Sequence, residues 1–286
     1  MANLKEIRNR ISSVSSTMQI TSAMKMVSAA KLKKAQDAIT AMRPYSDKLT
    51  ELLQSLSASL EGDSGSKFAE QREVKNVLIV AITSNRGLCG AFNSNIVKEV
   101  NRLANDQYAN QEVSYLAIGK KANDAFAKTN KVIANKSEIF DDLTFDNVAE
   151  VAQMLMDTFV NGDFDKIVLV YNKFKNAATQ EIMTEQFLPI VPMEGDASSN
   201  TDYIFEPSKE LIVEQLIPKS LKTQLFKSVR DSFASEHGAR MTAMHKATDN
   251  ATELRDQLKL TYNKARQAAI TNEILEIVGG AEALNN

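Results

Sequence analysis

Residues 1–43 contain neither glycine nor proline, and residues 219–278 contain no proline and one glycine, Gly238. Helix breakers are confined to the middle of the 286-residue chain, which predicts one long helix at each end. The first stretch carries a countable seam. Leu4, Ile7, Ile11, Val14 and Met18 recur at spacings of three and four, the rhythm of a coiled coil. The rhythm slips at Thr21 and Lys25 and resumes through Met24, Val27, Leu32, Ala35, Ile39 and Met42. Pro44 interrupts or kinks the helix, and LTELLQSLSASL continues it, giving a shaft segment over 1–58. At the other end Leu221, Leu225 and Val229 open a stripe that resumes through Met244, Ala247, Ala251, Leu254, Leu258, Ala265, Ala268 and Leu275. Ser232, Glu236 and Arg240 fill the gap, so the stripe is weak there. Small seam residues let two helices approach closely, yet each buries little apolar surface.

At 1.5 Å per residue, a helix over 3–43 is about 60 Å long and one over 219–283 about 95 Å. The intervening domain begins and ends near one place, so the two helices are expected to pair antiparallel. Setting Tyr45 beside Lys219 fixes paired residue numbers at a sum of 264, with Met24 near Arg240 and Leu4 near Leu260. Everything after about residue 262 then lacks a partner within the chain. That overhang nevertheless carries Ala268, Ala269, Ile270, Ile274, Leu275, Ile277 and Val278. A lone helix with so much apolar surface frays or aggregates in water, so the tip reads as a plug for another protein.

Between the helices, strands and helices alternate. VKNVLIVAIT (74–83) is a buried strand, followed by the loop SNRGLCGAFN and the helix NIVKEVNRLANDQY. EVSYLAIG and KVIANKS are further strands around the helix KKANDAFAKT; FDNVAEVAQMLMDTFVNG is a helix; KIVLVYNKF and TQEIMTEQFLPI are strands. The expected fold class is therefore α/β: a long antiparallel coiled coil of the terminal helices plus a Rossmann-like α/β domain. The domain bounds are 1–58, 59–218 and 219–286, with SLEGDSGSKFAEQR (59–72) as a flexible join and EGDASSNTD (194–202) as a polar loop. Charge divides the same way. Residues 1–43 carry +6 and residues 219–286 carry +2, so the middle 175 residues carry −10 of a total of −2. Such a split indicates different surroundings for the two parts.

Most candidate chemistry fails on inspection. The overall balance of charge argues against a dedicated nucleic-acid binder, and no apolar run reaches the ~20 residues that span a bilayer. The loop Arg86-Gly87-Leu88-Cys89-Gly90-Ala91 matches neither phosphate-cradling glycine pattern, so a tight strand-to-helix turn is the plainer reading. Cys89, the single cysteine, has no histidine in its domain to act as base and reads as a small core residue. His237 and His245 stand eight apart, about 12 Å along a helix and too far to share a metal; solvated or partner-facing positions suit them. Asp141-Asp142 and Glu194/Asp196 sit in or near loops without the apolar shielding that acid–base work requires. KLKKAQ (31–36) is a solvated basic face. Arg240 occupies a seam register that calls for an apolar residue, and is either a solvated break in the coiled coil or a contact to an acidic partner group.

Several long motifs carry a resemblance. LKEIRNRISSV and ITSAMKMVSAAKLKKAQ near the start, SNRGLCGAFN after the first strand, and MTAMHKATDNA with LTYNKARQAAITNEILEIVGGAEAL at the end are similar, in order and at full length, to the gamma-subunit family of F-type ATP synthases. The resemblance implies a non-catalytic rotary central stalk that couples transmembrane proton or sodium flow to ATP synthesis or hydrolysis on beta subunits, and that regulates ATPase activity and ion flow. It implies one copy per complex, inside a hexamer of alpha and beta subunits, with the epsilon subunit and the c-ring below, and no cofactor, nucleic acid or membrane span of its own. With no transit peptide legible, the expected location is peripheral, on the cytoplasmic face of the bacterial inner membrane rather than the mitochondrial matrix face.

By the same resemblance, Met24 and Arg240 face an acidic loop of beta, and Gln267, Thr271 and Glu273 match upper contacts with the hexamer. Ile270, Ile274, Leu275, Ile277 and Val278 form the tip in the hexamer's apolar sleeve. Tyr203, Phe205 and Glu206 resemble the foot on the c-ring and epsilon. Ser84, Arg86, Gly87 and Gly90 match the family's loop, with no chemistry to assign to them. Two rivals stand beside this reading: an α/β enzyme with helical dimerisation arms, and a coiled-coil tether that pairs with its own copy.

Overall fold

The computed structural model describes residues 4–57, 66–128, 131–190 and 209–284. It divides into two compact units, one of Met1–Ser28 with Met241–Asn286 and one of Ala29–Arg240. The division falls inside both terminal helices, α1 (Leu4–Ser57) and α6 (Lys209–Leu284), rather than at their ends. Each helix contains a proline: Pro44 in α1, expected to interrupt or kink it, and Pro218 in α6, immediately before the expected helix start at 219. Thus α6 begins at Lys209 and not at 219. A proline removes one helical hydrogen bond, but Ile217 and Leu221 on either side of Pro218 are buried in the core of the sheet domain, and that packing outweighs the local breaker.

The larger unit is built on a five-stranded sheet. After the short helical turn α2 (Ser66–Ala69) come β1 (Asn76–Ile82), α3 (Phe92–Arg102), β2 (Glu112–Ile118), α4 (Lys120–Phe126), β3 (Val132–Asn135), α5 (Phe145–Val160), β4 (Lys166–Phe174) and β5 (Gln180–Leu188). A π-helical turn, Leu103–Gln107, extends α3, and a 3-10 turn, Ser137–Phe140, precedes α5. The strand order is β3-β2-β1-β4-β5, parallel except for β5, which runs antiparallel to β4. Period-two alternation assigns each strand's side chains to two faces. Leu78, Val80 and Ile82 join one core with α5 and with Leu221, Leu225 and Val229 of α6. Val77, Ile79 and Ala81 join the other, with Ile96 and Val100 of α3 and Phe126 of α4. Helices thus cover both faces, the doubly wound arrangement that continuous apolar strands require. Gly119, at φ 110° before α4, is obligatory, since a Cβ there would collide with the Thr83 backbone.

The seam of α1 runs without a slip. Leu4, Ile7, Ile11, Val14, Met18, Thr21, Lys25, Ser28, Leu32, Ala35, Ile39, Met42, Ser46 and Leu49 are all buried or half-buried, at unbroken spacings of three and four. Val27, expected in the seam, is 57% exposed. Polar Thr21 and Ser28 occupy core positions, and the expectation failed because it followed hydrophobicity rather than phase.

In the smaller unit the two helices pair antiparallel. Thr21 and Thr248 hydroxyls hydrogen-bond at 2.8 Å, Lys25 Nζ lies 3.4 Å from His245 Nδ1, and Arg8 Nη2 donates to Tyr262 Oη at 2.9 Å. The paired numbers sum to 269 or 270 here. The expected sum of 264 holds only in the larger unit, where the Lys219 ammonium lies 5.8 Å from the Tyr45 ring centroid. Within the smaller unit Met24 is therefore level with residues 245–246. The α6 side of this seam is Met244, Thr248, Ala251, Arg255, Leu258, Tyr262, Ala265 and Ala269, each buried or half-buried. Expected seam members Leu254, Ala268 and Leu275 are exposed instead.

Candidate functional site

Two places gather the residues that the sequence singles out, one in each unit. In the larger unit, the strand order reverses between β1 and β4, and the crevice outside the carboxyl ends of such strands is where a doubly wound sheet takes its ligand. Here the crevice is closed by the chain's own α6. The loop after β1 is held by its own polar groups. Ser84 Oγ donates to the Arg86 carbonyl at 2.6 Å and accepts from Asn93 Nδ2 at 2.8 Å, while Ser84 N donates to Asn93 Oδ1 at 3.0 Å. Leu88 at φ 61° and Gly90 at φ 59° turn the backbone so that the carbonyls of Arg86 and Gly87 reach Arg240.

Arg240 meets an acceptor with each of its five N–H groups. Nη2 donates to Arg86 O at 3.2 Å and to Gly87 O at 3.3 Å, and Nε donates to Gly87 O at 3.4 Å. Nη1 forms an ion pair with Glu236 Oε1 at 2.7 Å and lies 3.4 Å from His237 Nδ1. The side chains of Arg240 and Glu236 are 8% and 9% exposed. A phosphate site would turn backbone N–H groups inward; this loop turns carbonyls inward and holds a guanidinium. The loop therefore has a structural partner, which the sequence reading did not find for Ser84, Arg86, Gly87 and Gly90.

Burial sets the protonation of the group. It pushes the Glu236 carboxyl up, against the pull of Arg240, and drives His237 down to about 3, with Arg240 and Lys31 adding to that fall. His237 is neutral, its ring set edge-on to Phe233 at 4.5 Å. With Nδ1 accepting from Arg240, the proton lies on Nε2, a buried atom without a hydrogen-bond partner among the described residues. The solvated or partner-facing position expected for His237 is thus corrected: α6 is enclosed from Ser228 to Arg240 except at half-buried Arg230 and Phe233. His245 is exposed, as expected. Cys89 is sealed in a small cluster with Phe92 and Ala239, and burial pushes its thiol up. Gly238 brings α6 against the β4–β5 turn, where a Cβ would lie 3.2 Å from Ala177 O.

The second place is the end of α6. Its seam closes at Ala269, and residues 270–281 are exposed without exception. Ile270, Ile274, Leu275, Ile277 and Val278 are 47–72% exposed. Gln267, Thr271 and Glu273 are exposed beside them, the Thr271 hydroxyl donating to Gln267 O at 2.9 Å. Met24 is half-buried. Tyr203, Phe205 and Glu206 lie outside the described residues. Sequence reasoning missed Glu236 and His237 as partners of Arg240; the available signal was the i, i+4 spacing of Glu236 and Arg240. Among the described residues no cluster of His, Cys, Asp and Glu could hold a metal ion, and no helix is long and apolar enough to cross a membrane.

Residues 3–284 match the family described as ATP synthase. Among curated relatives, the ATP synthase gamma chain of Flavobacterium psychrophilum is 75% identical over 285 residues, covering 99% of each chain. That of Flavobacterium johnsoniae is 73% identical over 286 residues, covering 100% of each. Among solved structures, the central stalk and c-ring of the Tetrahymena thermophila mitochondrial ATP synthase contains a chain of 25% identity and TM-score 0.59, covering 80% of this chain and 99% of that one. A chain of the Euglena gracilis mitochondrial ATP synthase shares the fold at TM-score 0.69 and 23% identity, covering 98% of this chain and 94% of that one.

Proposed function

The chain belongs to the ATP synthase gamma-chain family, and from that premise we propose that it is the rotating central stalk of a bacterial F-type synthase. One copy sits within an alpha–beta hexamer, with epsilon and the c-ring at its foot, on the cytoplasmic face of the cell membrane. It makes and breaks no bond in ATP. Its work is mechanical: an asymmetric shaft favours a different beta conformation at each angle, and only such differential contact can shift their populations.

The observation that carries this reading is the apolar end of α6. Five large aliphatic side chains stand in water past the last residue of the seam, and they need an enclosing surface. Gln267, Thr271 and Glu273 place polar contacts at the mouth of that enclosure. Sliding contacts must be individually weak, or the shaft would lodge at one angle, and small or polar side chains suit that demand.

The test is reconstitution. The purified chain is expected to turn over no nucleotide, to restore ATPase activity to isolated alpha and beta subunits, and to rotate within the assembled hexamer. A chain that forms a stable homodimer and binds no hexamer in sedimentation would overturn the reading.

A further inference from the structure

We infer that Glu236, His237 and Arg240, with the carbonyls of Arg86 and Gly87, form a clasp that locks α6 against rotation in the α/β domain, and that torque enters the shaft through it. The inference rests on the central-stalk reading and adds to it a place of transmission and two positioning residues, Glu236 and His237. Apolar packing is non-directional, so the contacts of Leu221, Leu225 and Val229 with the sheet core resist separation better than twist. Hydrogen bonds to a planar guanidinium are directional. All five donors of Arg240 are engaged within the larger unit.

Geometry supplies the second grip. Gly238 and Arg240 are two residues apart, about 200° around the helix. The β4–β5 turn abuts α6 at Gly238, and the loop after β1 binds it at Arg240. Two loops from the carboxyl end of one sheet therefore hold α6 on nearly opposite faces, as a spanner holds a shaft. Glu236, one turn before Arg240, aims the guanidinium from one side, and neutral His237 receives its remaining N–H. Loss of either leaves the fork free to rotate away from the loop.

Cys89, 1% exposed beneath this clasp, reports on it. In the isolated full chain, Glu236→Gln and Arg240→Gln are each expected to raise the rate of Cys89 labelling by a thiol reagent at least tenfold, with cooperative melting retained. Arg240→Lys, which keeps the charge without the fork, is expected to behave like Arg240→Gln. In the assembled synthase each variant is expected to lower proton pumping per ATP hydrolysed several-fold. An oxidised cross-link between Cys89 and Ala239→Cys is expected to restore that ratio in the Arg240→Gln background, and reductant to abolish it again. Unchanged labelling in folded variants overturns the inference, as does normal coupling with Cys89 freed. So does a closed cross-link that leaves coupling lost, since Arg240 would then act on an outside partner. If the unaltered chain itself assembles without coupling, the central-stalk reading fails instead.

Discussion

A buried imidazole that stays neutral makes a defined contribution to pH dependence. His237 falls from its ordinary 6.5 to about 3 because burial disfavours the charged ring. Between those values the unfolded chain takes up a proton that the folded chain refuses. The contribution is therefore intact above about pH 6.5 and is lost on acidification at up to about 1.4 kcal/mol per pH unit. Glu236 acts in the opposite sense: its carboxyl is raised above 4.5 by burial, so its share falls as pH rises through the range just above that value. Urea midpoints measured from pH 6.5 to pH 5 should decline for the unaltered chain and decline less steeply for His237→Gln. Gly238 is a residue-scale constraint of another kind. Its Cβ position lies 3.2 Å from Ala177 O and 3.3 Å from Ala177 Cα, and the turn holding Ala177 is pinned by Asn176 Oδ1, which accepts from Ala178 N and Thr179 N. Gly238→Val should cost about 1–3 kcal/mol by overpacking, read as a lowered melting temperature.

At the scale of elements, the smaller unit's coiled coil carries a polar layer. Thr21 and Thr248 share a hydrogen bond at 2.8 Å in the seam, and each also donates or can donate to a carbonyl one turn back on its own helix. Replacing both by valine exchanges a satisfied polar pair for apolar groups of the same shape, which is neutral or stabilising. Thr21→Val with Thr248→Val should raise stability by up to about 1 kcal/mol while loosening register, since buried polar groups specify pairing at some cost in stability. Thermal melts and cross-linking of neighbouring registers check both halves. This layer also shows where reading the sequence stopped. The breaker-free ends and the alternation of apolar strands with amphipathic helices made both long helices and the winding of the sheet legible, because local periodicity encodes them. The polar seam positions were illegible to a search for apolar residues, and the start of α6 was hidden by Pro218, whose cost is offset by packing from another part of the chain. Arg240 stood out as a polar residue in an apolar register, but its partners Arg86 and Gly87 are more than 150 positions away, and such a distant pairing leaves no periodic trace.

For the molecule as a whole, the division into two units runs through both long helices, and the surface of the smaller unit ends in exposed aliphatic side chains. Those side chains are 47–72% exposed and contribute little to the chain's own packing. Ile274→Glu with Ile277→Glu should therefore leave the melting temperature of the isolated chain within about 1–2 °C, because exposed positions rarely alter stability. The same pair should suppress self-association in sedimentation velocity and weaken binding to an alpha–beta hexamer by tenfold or more. A change in melting without a change in association would show that the tip folds back on its own chain. The consequence reaches into biogenesis. If the tip is enclosed as proposed, a copy synthesised ahead of its companions is an orphan with an adhesive terminus, a target for holdases and proteases, and the cell gains by matching its translation to the supply of those subunits.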